Sequence, residues 1–238
     1  EDHAIEASVC KIIGSEALAY VVDESVQVLG GAGFIEEYGL ATLYRDERIN
    51  RIFEGTNEIN RLLIAGMTLK KSILEELPIR DSISVREDSW FSCLESTENQ
   101  SEMVVEYCRS ACLMTLNQII LKHGQDMKNN QWIQEPFADM VCSLAILDTG
   151  IKRGKKIKDA KELKEYNEIL DLSICHHFKQ INNNMDTILS DVCSDDEYVK
   201  VTDKIHSQKE KLGYKPNEIL LMKKVVDTFY KHEKYYLD

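Results

Sequence analysis

Glu54 stands between an apolar pair, Ile52-Phe53, and the small residues Gly55-Thr56. It lies inside the run Tyr44-Arg45-Asp46-Glu47-Arg48-Ile49-Asn50-Arg51-Ile52-Phe53-Glu54-Gly55-Thr56-Asn57-Glu58. A carboxylate dried against such a wall has its pKa raised toward the working pH, which makes it a stronger base. The glycine beside it leaves room for a substrate. On the residues alone a second reading stays open: a Glu before a Gly at a helix start is commonly just an N-terminal carboxylate near a cap. A second dense signal, Gln27-Val28-Leu29-Gly30-Gly31-Ala32-Gly33-Phe34, lies 27 to 23 residues upstream of Glu54, counted from Gln27 to Gly31. Glycines let backbone N–H groups approach phosphate oxygens without a Cβ in the way. They also end helices, and no strand precedes them as a Rossmann fingerprint would require.

Other clusters are weaker. Cys175, His176 and His177 are consecutive, so on a helix they point about 100° apart and cannot converge on one ion; no metal site is expected. The seven cysteines form no CxxC pair, and Cys108 and Cys112 share a face with apolar residues. They read as small buried hydrophobes in a reducing compartment. The net charge of −12, from 41 acidic and 29 basic residues, opposes general nucleic-acid binding. Residues 152 to 164 break that trend with Lys152, Arg153, Lys155, Lys156, Lys158, Lys161 and Lys164. They read either as a solvated loop and helix start or as a surface for anionic lipid. Asp195-Asp196-Glu197 reads as a solvated acidic turn. No apolar run approaches the roughly 18 residues of a membrane span.

The elements that must position these groups are helical. Ile5, Val9, Ile12, Ile13, Leu18, Val21, Val22, Val26 and Leu29 recur at spacings of three and four, which predicts a helix over 4–29 stopped by the glycines. A shorter helix is expected over 39–51. Thr56 or Asn57 caps a long one, with Glu58 in its first turn and Pro78 closing it. Residues 78–100, polar and weakly periodic, read as a linker. Further helical stripes run from Val105 to His123-Gly124, from Phe137 to Gly150, over 159–190, and after Pro216-Asn217. The fold class expected is all-α, with a helix pair over 1–77, the linker, and a bundle-like unit over 101–238. A two-helix unit leaves an apolar face uncovered on each helix. Because Glu1-Asp2-His3-Ala4 leads directly into the helical pattern, the chain reads as a piece of something larger or one part of a split enzyme.

In this order and spacing, the glycine run and the Tyr-Arg-Asp…Glu-Gly-Thr run resemble the C-terminal helical domain of the acyl-CoA dehydrogenases. Residues 102–139, with a helix ending in Lys122-His123 and then Asn130-Gln131-Trp132-Ile133-Gln134-Glu135-Pro136-Phe137-Ala138-Asp139, resemble the extra C-terminal domain of the very-long-chain type. The resemblance implies an FAD-dependent enzyme that desaturates long-chain acyl-CoA thioesters at the α,β bond in fatty acid β-oxidation. It makes Glu54 the base that removes the α proton, while the Glu54 backbone N–H helps bind the thioester carbonyl, and it places Gly55 beside the substrate. Thr56, Asn57 and Glu58 fall on positions meeting the flavin pyrophosphate and adenine region of their own subunit. Gln27, Val28, Leu29, Gly30 and Gly31 fall on the loop that touches the FAD of a neighbouring subunit, which implies a homodimer. Arg45, Asp46 and Arg48 are assigned to ion pairing and loop placement. An electron-transfer flavoprotein is the implied electron acceptor, and peripheral membrane contact is implied by the very-long-chain relatives. The implied location is the mitochondrial matrix or inner-membrane face in a eukaryote, or the cytoplasm or cytoplasmic membrane face in a prokaryote. The piece alone is expected to be inactive. The competing expectation is a non-catalytic helical scaffold or assembly protein derived from the same family.

Overall fold

The computed structural model describes residues 3–79, 81–84 and 99–232, and among them every regular element is helical. Helix α1 spans Ala4–Leu29 and stops at Gly30, whose φ of 57° suits a residue without a Cβ. The glycines after it do not form an open loop: Gly31–Phe34 make one helical turn, α2. A Cβ on Gly33 would come within 2.8 Å of the Val26 carbonyl oxygen, so that turn folds tightly against α1. Helix α3, Leu40–Glu47, continues into a 3-10 turn at Arg48–Arg51. Helix α4, Asn57–Ile73, starts at Thr56, whose Oγ1 accepts the Ile59 N–H at 3.3 Å. It ends before Pro78, contrary to expectation. Glu75 turns left-handed, and the N–H groups of Glu76 and Leu77 fold back onto the Lys71 carbonyl, closing the helix chemically rather than by proline.

Most of the expected linker, residues 85–98, lies outside the described residues, as does Cys93; residues 81–84 form a helical turn. Beyond it come α5 (Gln100–His123), α6 (Gln131–Gly154), α7 (Ala160–Val192), α8 (Asp195–Leu212) and α9 (Glu218–His232). Helix α8 overturns the reading of Asp195-Asp196-Glu197 as a free turn. The Glu197 carboxylate accepts both the Ser194 N–H (3.1 Å) and the Ser194 hydroxyl (2.8 Å), which secures a helix start. The acidic run then lies at the end of a helix dipole that favours negative charge. The Ser-x-x-Glu spacing carried that signal.

The basic segment is partly neutralised within the chain. Lys152 pairs with Asp148, Lys155 with Glu102 and Lys161 with Glu165, while the Arg153 guanidinium lies over the Tyr166 ring. Of the cysteines, 108, 112, 142 and 175 are buried, whereas Cys10 is exposed. Burial pushes the Cys112 and Cys142 thiols up to about 12, so they pack as neutral groups.

The boundary between 1–77 and 101–238 does not divide the core. Ala65 and Leu69 of α4 join the main cluster of α5, α6 and α7, and Ile64 meets Val9 and Ile12 of α1 with Ala138 and Cys142 of α6. Helix α4 is thus shared by both halves. An ion cluster reinforces the seam. The Arg61 Nε donates to Asp139 Oδ1 at 2.7 Å, and its two terminal nitrogens donate to the Glu16 oxygens at 2.7 and 3.0 Å. One guanidinium therefore ties α1, α4 and α6 together.

Helix α1 explains why this packing is incomplete. Val9, Ile12, Ala19 and Val22 are buried, yet Leu18, Val21 and Leu29 are 44%, 57% and 52% exposed. Helix α1 is thus apolar on two sides, of which this chain covers one. Phe34, Tyr38, Ile52 and Phe53 are exposed as well, so the N-terminal half carries many uncovered apolar side chains.

Two measurements follow from the seam. Ile64 is fully buried in it, so Ile64→Ala is expected to cost about 2–5 kcal/mol, read as a lower denaturant midpoint with an unchanged slope. Burial alone would raise Glu16, but its Arg61 and Asn57 bonds outweigh that and hold it below 4.5. Its contribution to stability is therefore present above pH 4.5 and is lost as pH falls through its folded value. Asp139 is raised above 3.8 by burial, which Arg61 only partly offsets, so its contribution has the opposite sign: protonation relieves a burial cost. Glu16→Gln should lower the urea midpoint more than Asp139→Asn at pH 7, and the gap should shrink at pH 4. Equal losses at both pH values would refute the assignment.

Candidate functional site

Glu54 and Gly55 form the turn between the 3-10 segment and α4. Both are left-handed, with φ of 55° and 81°. For Gly55 this is free, and a Cβ there would sit 3.2 Å from the Asn60 Nδ2. For Glu54 it costs about 1–3 kcal/mol, and such strain persists where the surroundings over-determine it.

The surroundings do. The Gly55 carbonyl accepts from Lys11 Nζ at 2.9 Å and from Asn60 Nδ2 at 2.7 Å, and Asn60 also reaches the Thr56 carbonyl at 3.1 Å. Lys11 donates to Asn57 Oδ1 as well, and the Asn57 amide donates to Ser15 Oγ at 2.9 Å and Glu16 Oε1 at 3.1 Å. A polar patch on α1, made of Lys11, Ser15 and Glu16, thus holds the turn from beneath. The Glu54 side chain is left exposed on top, beside Ile52 and Phe53, each about half exposed. The dry setting expected for Glu54 is not made by the described residues: Ile52 and Phe53 supply a wall but no roof.

The other expected site residues divide into two groups. Thr56 and Glu58 lie at the α4 N-terminus, next to Gly55. The Glu58 carboxyl is held below its ordinary range, first by its own backbone N–H and then by the Thr56 hydroxyl. Asn57 differs: it is buried, and its side chain is fully engaged with α1, so it faces inward as a staple. Gln27, Val28, Leu29, Gly30 and Gly31 lie at the far end of α1, all exposed, with Val28 at 82%. A Cβ added to Gly30 or Gly31 would meet nothing within 4 Å, so this backbone is open to an approaching group. Between Lys11, which holds the Glu54 turn, and Gln27 run sixteen helical steps, about 24 Å at 1.5 Å per residue. The two motifs therefore do not converge on one point in this chain.

Two assignments need revision. Arg45, Asp46 and Arg48 are exposed and join no ion pair among the described residues; the pair in this stretch is Arg51 with the buried Glu47, at 3.3 Å. Lys11, Ser15, Asn60, Arg61 and Asp139, which fix the turn, were not singled out in the sequence. Ser15-Glu16 interrupts the apolar stripe between Ile12 and Ala19, and that interruption was the one available sign of a polar contact within the seam.

Comparison with known proteins agrees with this arrangement. Residues 1–69 match the family described as acyl-CoA dehydrogenase, C-terminal domain. The chain is 38% identical to a probable acyl-CoA dehydrogenase of Bacillus subtilis (strain 168) over 160 residues, 65% of this chain and 27% of the relative. It is 54% identical to the mitochondrial very long-chain specific acyl-CoA dehydrogenase of Rattus norvegicus over 65 residues, 27% of this chain and 10% of the relative. A crystal structure of an acyl-CoA dehydrogenase complexed with FAD from Bacillus anthracis superposes with a TM-score of 0.86 at 29% identity, covering 98% of this chain and 40% of that one. The chain thus spans well under half the length of these relatives. Residues 1–69 therefore match the acyl-CoA dehydrogenase C-terminal domain, and the chain as a whole is similar in fold to part of an acyl-CoA dehydrogenase.

Proposed function

We propose that this chain supplies the catalytic carboxylate and part of the cofactor cradle of an FAD-dependent acyl-CoA dehydrogenase acting on long-chain acyl-CoA thioesters. The observation that carries the reading is the Glu54-Gly55 turn, strained at a non-glycine residue and pinned from below by Lys11 and Asn60. A side chain held above such a support is preorganised to meet a ligand arriving from outside.

The residues present fit a flavin dinucleotide. The N-terminus of α4 offers backbone N–H groups and a positive dipole end to a pyrophosphate, with the Thr56 hydroxyl beside them. Glu58 currently takes its own N–H; being exposed, it is free to turn away as an anion approaches. The bare backbone at Gly30-Gly31 suits a second phosphate approach. Because it lies about 24 Å from the Glu54 turn along α1, the same phosphates cannot reach both. That supports a homodimer in which the Gln27–Gly31 loop serves the cofactor of the other subunit.

The bound flavin supplies the acceptor for the hydride that leaves the substrate β carbon. Glu54 removes the proton from the α carbon, using an oxygen held over it by the pinned turn. Its backbone N–H donates to the thioester carbonyl, where charge develops as that proton leaves. Gly55 leaves the space that the thioester end needs. Drying requires a roof, and Ile52 and Phe53 are the exposed apolar neighbours in sequence that such a roof would bury. Covering Glu54 would disfavour its ionised form and raise its basicity. The chain alone is therefore inactive on this reading. Electrons pass onward to an electron-transfer flavoprotein, and fatty acid β-oxidation is the setting, mitochondrial in a eukaryote.

A match of 160 residues to the Bacillus subtilis relative must run past Pro78, so that relative shares part of the extension; the very-long-chain assignment rests on the resemblance of residues 102–139. Peripheral membrane contact by residues 152–164 is a weaker part of the proposal, since three of its lysines are already paired.

The test uses the intact FAD-loaded protein mixed rapidly with palmitoyl-CoA, following loss of oxidised-flavin absorbance. Glu54→Gln is expected to slow that loss by about 10²–10⁴-fold while flavin content stays the same. Bleaching at the unmodified rate in that variant would overturn the assignment of Glu54 as the base, whereas an unmodified protein that bleaches no flavin with palmitoyl-CoA would favour the helical-scaffold reading.

A further inference from the structure

We propose that Asp139, on the extension helix α6, is a positioning residue for Glu54, acting through Arg61, Glu16 and Asn57. The proposal rests on the reading of Glu54 as the base.

The contacts form an unbroken polar chain. Asp139 Oδ1 accepts the Arg61 Nε at 2.7 Å. This fixes the rotation of the guanidinium, whose remaining two nitrogens then meet both Glu16 oxygens. A planar fork held at its ε-nitrogen has one orientation left, which is what makes bidentate recognition specific. Glu16 Oε1 next accepts the Asn57 amide, and Asn57 Oδ1 accepts Lys11 Nζ, whose ammonium also binds the Gly55 carbonyl. Five side chains thus run from the extension to the Gly55 carbonyl, one peptide beyond Glu54.

Two of the links, Arg61 and Asn57, sit where loosening would be felt. The Arg61 side chain is only 12% exposed, and Asn57 is 2% exposed, so neither has water ready to replace a lost partner. Without Asp139, Arg61 keeps Glu16 but loses its fixed orientation, and the Glu16 oxygen that receives Asn57 is free to shift. The Glu54 backbone is left-handed and relaxes once its anchor moves. A general base must meet its proton within hydrogen-bond reach, and a displacement of about 1 Å can cost on the order of 10²-fold in rate. The extension therefore contributes to chemistry as well as to bulk: it sets where the carboxylate stands. This also gives a physical reason for α6 to pack against α4 at Ile64, Ala138 and Cys142, directly beside the same cluster.

The experiment uses the intact FAD-loaded protein and four variants: Asp139→Ala, Asp139→Asn, Asp148→Asn and Glu54→Gln. Asp148 is the control. It lies on the same helix and binds Arg109 at 2.7 Å, but takes no part in the chain to Gly55. Amide hydrogen exchange over residues 53–60 is read without substrate; flavin content, KM and the rate of flavin reduction are read with it. Asp139→Ala should raise exchange of that segment about tenfold and slow flavin reduction by about tenfold, with KM and flavin content little changed. Asp139→Asn, the variant that keeps the shape, should move both in the same direction, and Asp148→Asn should move neither. Unchanged exchange over 53–60 in both Asp139 variants would overturn the proposal. So would raised exchange with reduction at the unmodified rate. Full activity in Glu54→Gln would overturn the reading beneath it, and that outcome is separable because the exchange measurement does not depend on which group is the base.

Discussion

Arg61 is the residue on which the rest of the arrangement depends. A guanidinium this deeply placed cannot shed its proton, so it must be surrounded by acceptors or the burial becomes costly. Glu16 from α1 and Asp139 from α6 meet that demand, and their bonds raise Arg61 against the opposing pull of burial. The two carboxylates are not equivalent. Glu16 is held low because it gains a bidentate partner and Asn57; Asp139 is left raised because it is buried more deeply and has a single bond to the same cation. The side facing the Glu54 turn therefore carries more of the cluster's hydrogen bonds.

That dependence explains what could be read from the sequence. Helices α1, α4, α5, α6, α7 and α9 were legible because each carries apolar residues at three- and four-residue spacing, and several starts and stops use ordinary chemistry: Thr56, Asn99 and Asp159 as caps, Gly30 and Gly124 as ends. Helix α8 was not read, since its apolar positions are few and Asp195-Asp196-Glu197 looked like a turn. The Glu54-Gly55 turn was legible by resemblance, but its support was not. Lys11, Glu16, Arg61 and Asp139 are spread over nearly 130 positions of the sequence, and nothing local distinguishes them from solvent-facing charges. Asn57 was placed at the helix start, but its side-chain bonds to Ser15 and Glu16 were not legible, because a cap position does not say which neighbour lies beneath it.

The same gap between local and tertiary information appears in the domain reading. A polar stretch before residue 100 suggested a helix pair followed by a separate bundle. Helix α4 packs across that division, with Ala65 and Leu69 among the extension helices and Ile64 against α1. Sequence composition marks where the chain is weakly periodic; it does not mark where buried surfaces stop being shared.

The exposure of Glu54 goes with that of its sequence neighbours Ile52 and Phe53, each about half exposed. The turn is already strained and is pinned through the Gly55 carbonyl, so its backbone position is set by the chain's own contacts. On the proposed reading the carboxylate must also be dried, and burial of Ile52 and Phe53 would help do that. Positioning and drying are thus separable here. The helical chain sets the first through a polar network rooted in Arg61, and a surface that buries Ile52 and Phe53 would supply the second without needing to move Glu54.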